Sequence, residues 1–140
     1  VRMPGSDRDD RVDVRPATND DLPAVMNVLD AAMLDVDASA VRDRTTGGEH
    51  GGSVLVAVAG ERVLGACVVS LSGGDGGHVE AIAIRPGRRG QGIGSALVDA
   101  AVERWGPIAA DFDEDVRPFY ESLGFEVERI GEARFLGRRE

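Results

Sequence analysis

The spacing of apolar and polar residues changes several times along this chain, and each change marks an element. Val12-Asp13-Val14-Arg15 alternates and predicts a first strand. Thr18-Asn19-Asp20-Asp21 is a helix start, with carboxylates in the first turn and Pro23 where no amide partner is needed. Leu22, Val25, Met26, Leu29 and Met33 continue at helical spacing, and a second short helix is predicted from Ser39 to Arg44. Two glycine-rich breaks, 47–52 and 72–77, flank a hairpin of Ser53 to Ala59 and Arg62 to Leu71 around Gly60-Glu61. His78 to Ile84 alternates as a fourth strand, placing His78, Glu80, Ile82 and Ile84 on one face. A helix from Ser95 to Arg104 stops at Gly106-Pro107, followed by a strand from Ile108 to Phe112. A short helix, Arg117 to Leu123, ends at Gly124, and Phe125 to Ile130 with Ala133 to Leu136 forms a last hairpin. The order β-α-α-β-β-β-α-β-α-β-β predicts a mixed α/β layer fold spanning residues 12–140 as one domain, preceded by a solvated, disordered tail over 1–11.

Composition narrows the chemistry. All 16 basic residues are arginine, against 25 acidic ones, for a net charge of −9. The absent lysine excludes a Walker phosphate site, a Schiff base and a pyridoxal site. The acidic balance argues against nucleic acid as a partner. It fits either a GC-rich genome or a halophilic protein kept soluble by hydrated carboxylates in strong salt. No apolar run approaches the roughly 20 residues of a membrane span, and the amino-terminal stretch lacks a secretory pattern, so a cytoplasmic location is expected. Cys67 is alone and reads as a small buried hydrophobe, and His50 has no metal-spaced partners, so no metal is expected.

The chemistry concentrates at Arg88-Arg89-Gly90-Gln91-Gly92-Ile93-Gly94-Ser95, between the fourth strand and the helix that follows. Glycines bare the backbone, a helix start presents amides without helical partners, and arginines supply counter-charge. That combination predicts a diphosphate site.

The motif Arg89-Gly90-Gln91-Gly92-Ile93-Gly94, preceded by Ala81-Ile82-Ala83-Ile84-Arg85-Pro86, resembles that of the GCN5-related N-acetyltransferase (GNAT) superfamily. Phe119-Tyr120-Glu121-Ser122-Leu123-Gly124-Phe125 resembles a second element of the same superfamily. The resemblance implies a mixed central sheet with helices on both faces and splayed fourth and fifth strands. It implies acetyl-CoA as co-substrate, its pantetheine chain pairing with the backbone of Ile82, Ala83 and Ile84. Its pyrophosphate would meet the amides from Gly90 to Ser95, with Arg88 or Arg89 reaching the phosphates.

The implied activity is transfer of acetyl from acetyl-CoA to a primary amine by direct attack in a ternary complex. The alternative is a non-catalytic acetyl-CoA-binding regulatory module of the same fold. Glu80 is the favoured base and His78 the other candidate; Tyr120 is the expected acid toward the CoA sulfur, and an amide near Ala83 the oxyanion donor. Seven residues before the tyrosine, where the family often has Asn, stands Asp113, within Asp111-Phe112-Asp113-Glu114-Asp115. This cluster reads as a solvated acidic loop or as an attractor for a cationic acceptor. Asp30, Asp35, Asp37 and Glu132 also hint at a cationic small-molecule amine or a protein amino terminus, and a protein side-chain amine is the further acceptor expected. Dimerisation through the last strands is implied by the resemblance alone.

Overall fold

The computed structural model describes residues 12–31, 53–71, 76–88 and 91–140. The expected tail, the short helix from Ser39 to Arg44 and Met33 lie outside them. Seven strands form one sheet: β1 (Asp13–Pro16), β2 (Val54–Ala59), β3 (Arg62–Leu71), β4 (Gly77–Ile84), β5 (Ile108–Asp113), β6 (Glu126–Arg129) and β7 (Arg134–Arg139). Among the described residues there are three α-helices: α1 (Leu22–Ala31), α2 (Ile93–Trp105) and α3 (Arg117–Ser122). The spatial order is β1-β2-β3-β4-β5-β7-β6, and only β4 and β5 run parallel.

Helices cover both faces of the sheet. Val25, Val28 and Leu29 of α1 bury against Val54, Val56, Ala66, Val68, Ala81 and Ala83. Ile93, Leu97, Val98 and Ala101 of α2 bury on the other face with Leu55, Leu64, Cys67, Ile82 and Ile84. Double coverage explains why Val54 to Ala59 is an unbroken apolar run: both faces of β2 are dry. The entry to α1 is fixed by charge. Asp21 accepts the Thr18 amide (2.7 Å) and both arms of the Arg15 guanidinium (2.7 and 3.1 Å). The hydrogen bonds from Arg15 hold its carboxyl down at about 2, with burial opposing and the Thr18 amide assisting.

Two features of the sheet differ from the sequence expectation. The register of β3 against β4 pairs Val68 with Ala81 and Val69 with Val79, leaving Glu80 as an extra residue in a bulge. The bulge resets the alternation. Val79, Ile82 and Ile84 share the α2 face, whereas Ala81 and Ala83 face α1. His78 therefore does not share a face with Ile82 and Ile84. The last strand also runs on to Arg139, beyond Leu136, because β7 pairs along the whole of β5 from Asp113–Arg134 to Ile108–Arg139.

The β4–β5 ladder contains two residue pairs, Gly77–Ile108 and His78–Ala109. Beyond them β4 continues to Ile84 and β5 to Asp113 without pairing to each other, so the strands splay. The closed end of this wedge is pinned to the turn after α2, where the Gly76 amide donates to the Trp105 carbonyl (2.6 Å) and the Gly77 amide to that of Pro107 (3.0 Å).

Candidate active site

The glycine motif becomes the mouth of α2. Gly92 caps the helix at φ 81°, a left-handed conformation that glycine adopts without strain. Its carbonyl accepts the first helical bond, from Ala96 (3.0 Å), so the amides of Ile93, Gly94 and Ser95 precede the helical ladder. A Cβ built on Gly92 meets nothing within 4 Å, whereas one on Gly94 would lie 2.7 Å from Leu123 Cδ2. Gly92 thus keeps the mouth open, and Gly94 lets α3 approach α2.

Between these elements lies a cleft of about 280 Å³, lined by Ile84, Arg88, Gly92, Ile93, Gly94, Ser95, Phe119, Ser122 and Leu123. Arg88 lines it while donating to the Gln91 side chain (3.2 Å). Arg85, one turn earlier, is committed elsewhere: its Nε donates to the Val63 carbonyl (2.7 Å) and its amide to that of Leu64. Arg89 and Gly90 lie outside the described residues. Ile82 and Ala83 stand on the splayed part of β4, each buried in a different core layer.

Tyr120 stands on α3, and the chain leaves that helix through Gly124 at φ 90°. Its ring stacks on Phe112 of β5 (centroids 4.2 Å, planes 5° apart) and meets Phe119 and Phe125 edge-on. Arg117 braces the same helix, with its guanidinium carbon 4.8 Å from the Phe135 ring centre. Burial pushes the Tyr120 phenol up to about 12, helped by the neighbouring Cys67 on β3 and Asp111 on β5. The stack on Phe112 sets the ring against β5. Burial alone pushes the Cys67 thiol up to about 12, which leaves it an inert core residue.

The other catalytic candidates sit near the closed end. Glu80 is exposed in the bulge of β4. His78 Nε2 lies 2.9 Å from Asp111 Oδ1, and Asp111 Oδ2 accepts from Arg134 Nη2 at 2.5 Å. Arg134 Nη1 also holds Asp113 at 2.8 Å. The acids of the Asp111–Asp115 segment are exposed, as a solvated segment requires, but the segment is not a loop. Its first half is strand, and two of its carboxylates are held by one arginine. Asp111 thus contacts His78 directly, and Arg134 reaches it through Asp111; sequence reasoning named Asp111 only within the acidic cluster and did not name Arg134. The available signal was the alternation of Asp111 and Asp113 with the core residues Ala110 and Phe112, which puts both acids on one face. Of the acids associated with the acceptor, Asp30 and Glu132 are exposed, and Asp35 and Asp37 lie outside the described residues.

A wedge between two parallel strands, opening beside a glycine-capped helix, defines a scaffold that can seat an extended chain and its anionic end. A family model described as an acetyltransferase (GNAT) domain matches residues 50–127, more than half of the chain. The chain belongs to the GNAT acetyltransferase family. Among solved structures it is similar to an acetyltransferase of the GNAT family from Bacillus cereus, with a TM-score of 0.77, 15% identity, and coverage of 93% of this chain and 97% of that one. It is also similar to the PaiA N-acetyltransferase from Thermoplasma acidophilum in complex with coenzyme A (TM-score 0.76, 13% identity, 93% and 99% covered). A third is Ard1 from Thermoplasma volcanium (TM-score 0.74, 17% identity, 91% and 96% covered). Among curated proteins, none matches this sequence. No helix among the described residues is long and apolar enough to cross a membrane.

Proposed function

We propose that this protein transfers the acetyl group of acetyl-CoA directly to a primary amine, of a small molecule or a protein terminus, in a ternary complex. The observation that carries the reading is the wedge between β4 and β5 leading to the glycine-capped cleft at α2. The space at Gly92 and the amides of Ile93 to Ser95 suit a pyrophosphate, and Arg88 adds counter-charge. Acetyl-CoA supplies an activated thioester. The chain supplies alignment and proton handling. The amine nitrogen forms a bond to the carbonyl carbon as the C–S bond breaks. An amide near Ala83 donates to the carbonyl oxygen, and Glu80 or His78 takes the proton that nitrogen loses. The departing thiolate accepts a hydrogen bond from Tyr120 and is protonated through solvent.

The direct test is thiol release from acetyl-CoA against a panel of amines, run in dilute buffer and in molar KCl. Amine-dependent release supports the transferase, and CoA binding without release would mark a binding module instead. The excess of carboxylates supports a protein adapted to strong salt in the cytoplasm, for which activity persists in molar KCl and declines in dilute buffer. The reverse salt profile rejects that adaptation. Gly92→Val tests the cleft separately. Its side chain enters open space at the helix mouth from a left-handed position that strains any side chain, and the acetyl-CoA dissociation constant is expected to rise about tenfold by calorimetry, equivalent to roughly 1.4 kcal/mol. An unchanged constant would remove the pyrophosphate from this loop.

A further inference from the structure

We propose that Asp111 and Arg134 are positioning residues for His78, and that His78 rather than Glu80 takes the proton leaving the acceptor nitrogen. The inference rests on the acetyl-transfer reading and deepens it. His78 is the last residue of β4 paired to β5, so its imidazole stands where the strands part. Asp111 lies two positions along β5 from Ala109, the partner of His78, on the same face and within the splayed region. The 2.9 Å contact makes His78 Nε2 the donor to Asp111 Oδ1. In the neutral ring this fixes the proton on Nε2 and leaves the lone pair on Nδ1, the atom that accepts a proton.

Arg134 completes the arrangement from β7. Its two arms engage Asp111 Oδ2 at 2.5 Å and Asp113 Oδ1 at 2.8 Å, so the carboxylate that orients the imidazole is itself oriented. Hydrogen bonds from Arg134 also hold the Asp111 carboxyl below the usual carboxylate range, against a smaller opposing effect of burial. The three side chains are each between about a third and a half exposed, and ion pairs this wet contribute little to stability. A purely structural role therefore gives little reason for a chain of contacts spanning β4, β5 and β7. Tyr120 stacks on Phe112, the neighbour of Asp111 on β5, so the phenol ring lies on the α2 face of the strand whose other face carries the carboxylate. In the transfer, the proton from nitrogen goes to His78 Nδ1 as the C–N bond forms, and solvent returns it to the thiolate.

The test uses the full chain. Long-range nitrogen–proton NMR reads the imidazole tautomer, with His50→Gln assigning the signals because the chain has two histidines. The wild type is expected to show His78 as the Nε2–H tautomer, and Asp111→Asn to give a mixture. His78→Gln is expected to lower kcat about 100-fold, and Asp111→Asn roughly tenfold, with acetyl-CoA affinity and melting temperature little changed. Arg134→Lys should retain most of the kcat that Arg134→Gln loses. Wild-type kcat in both His78→Gln and Asp111→Asn, or a wild-type His78 without the Nε2–H preference, overturns this proposal alone. A wild-type chain without amine-dependent thiol release overturns the acetyl-transfer reading with it.

Discussion

Tyr120→Phe is expected to lower kcat about 100-fold while leaving the acetyl-CoA dissociation constant within a factor of two, measured by thiol release and by calorimetry. The substitution removes one oxygen and little else. The stack on Phe112 and the edge contacts with Phe119 and Phe125 depend on the ring, which phenylalanine keeps. The loss is therefore chemical. A phenol raised to about 12 is protonated at any working pH and can always donate. It is also a weaker acid than an ordinary thiol near 8.5, so full proton transfer to a thiolate is uphill. In the proposed transfer its contribution is a hydrogen bond to charge developing on sulfur, and a charge-assisted bond of about 1.5–3 kcal/mol corresponds to the expected loss. Retained kcat would end the assignment of Tyr120.

The same phenol gives a pH signature. The folded chain holds the Tyr120 proton up to about 12, whereas an unfolded tyrosine releases it near 10. The stability linked to the neutral phenol is complete below pH 10 and is lost as pH rises through 12. Cys67 carries the same sign, from an ordinary thiol value to about 12. Alkaline unfolding should thus be less steep in Tyr120→Phe than in the wild type, with the Cys67 contribution remaining.

What could be read from the sequence was what depends on neighbours along the chain. The apolar runs of β2 and β3, the Gly60-Glu61 turn and the helix after Gly92 follow from local pattern, and the described elements agree with it to within a few residues except in the last hairpin. The bulge at Glu80 was not legible, because a period of two carries no mark of an inserted residue. Its effect is large for a site argument: one extra residue separated His78 from the face of Ile82 and Ile84. The placement of β7 between β5 and β6 was equally hidden, and with it the Asp111–Arg134 contact across 23 positions. Sequence could place Asp111 on a strand, yet only strand order says which arginine reaches it.

Gly76→Ala is expected to be the most destabilising single methyl in the described chain, by about 3–5 kcal/mol, from left-handed strain added to a steric clash. Gly76 has φ 85°, and a Cβ there would lie 2.1 Å from the Pro107 carbonyl oxygen and 3.1 Å from its carbon. Neither side can retreat cheaply. The Gly76 amide is bonded to Trp105 and the Gly77 amide to Pro107, and these bonds join the start of β4 to the turn that begins β5. Gly60→Ala is the control. It shares a positive φ of 63° but meets nothing within 4 Å, so it carries only the left-handed cost of roughly 1–2 kcal/mol. Thermal melts should separate the two variants by roughly 3–16 °C, taking about 3–4 °C per kcal/mol for a domain of this size. Equal melting temperatures would mean that backbone conformation alone matters at Gly76. A large gap would locate the fold's tightest joint at the closed end of the wedge, where β4 and β5 must be held together for the rest of their length to stand apart.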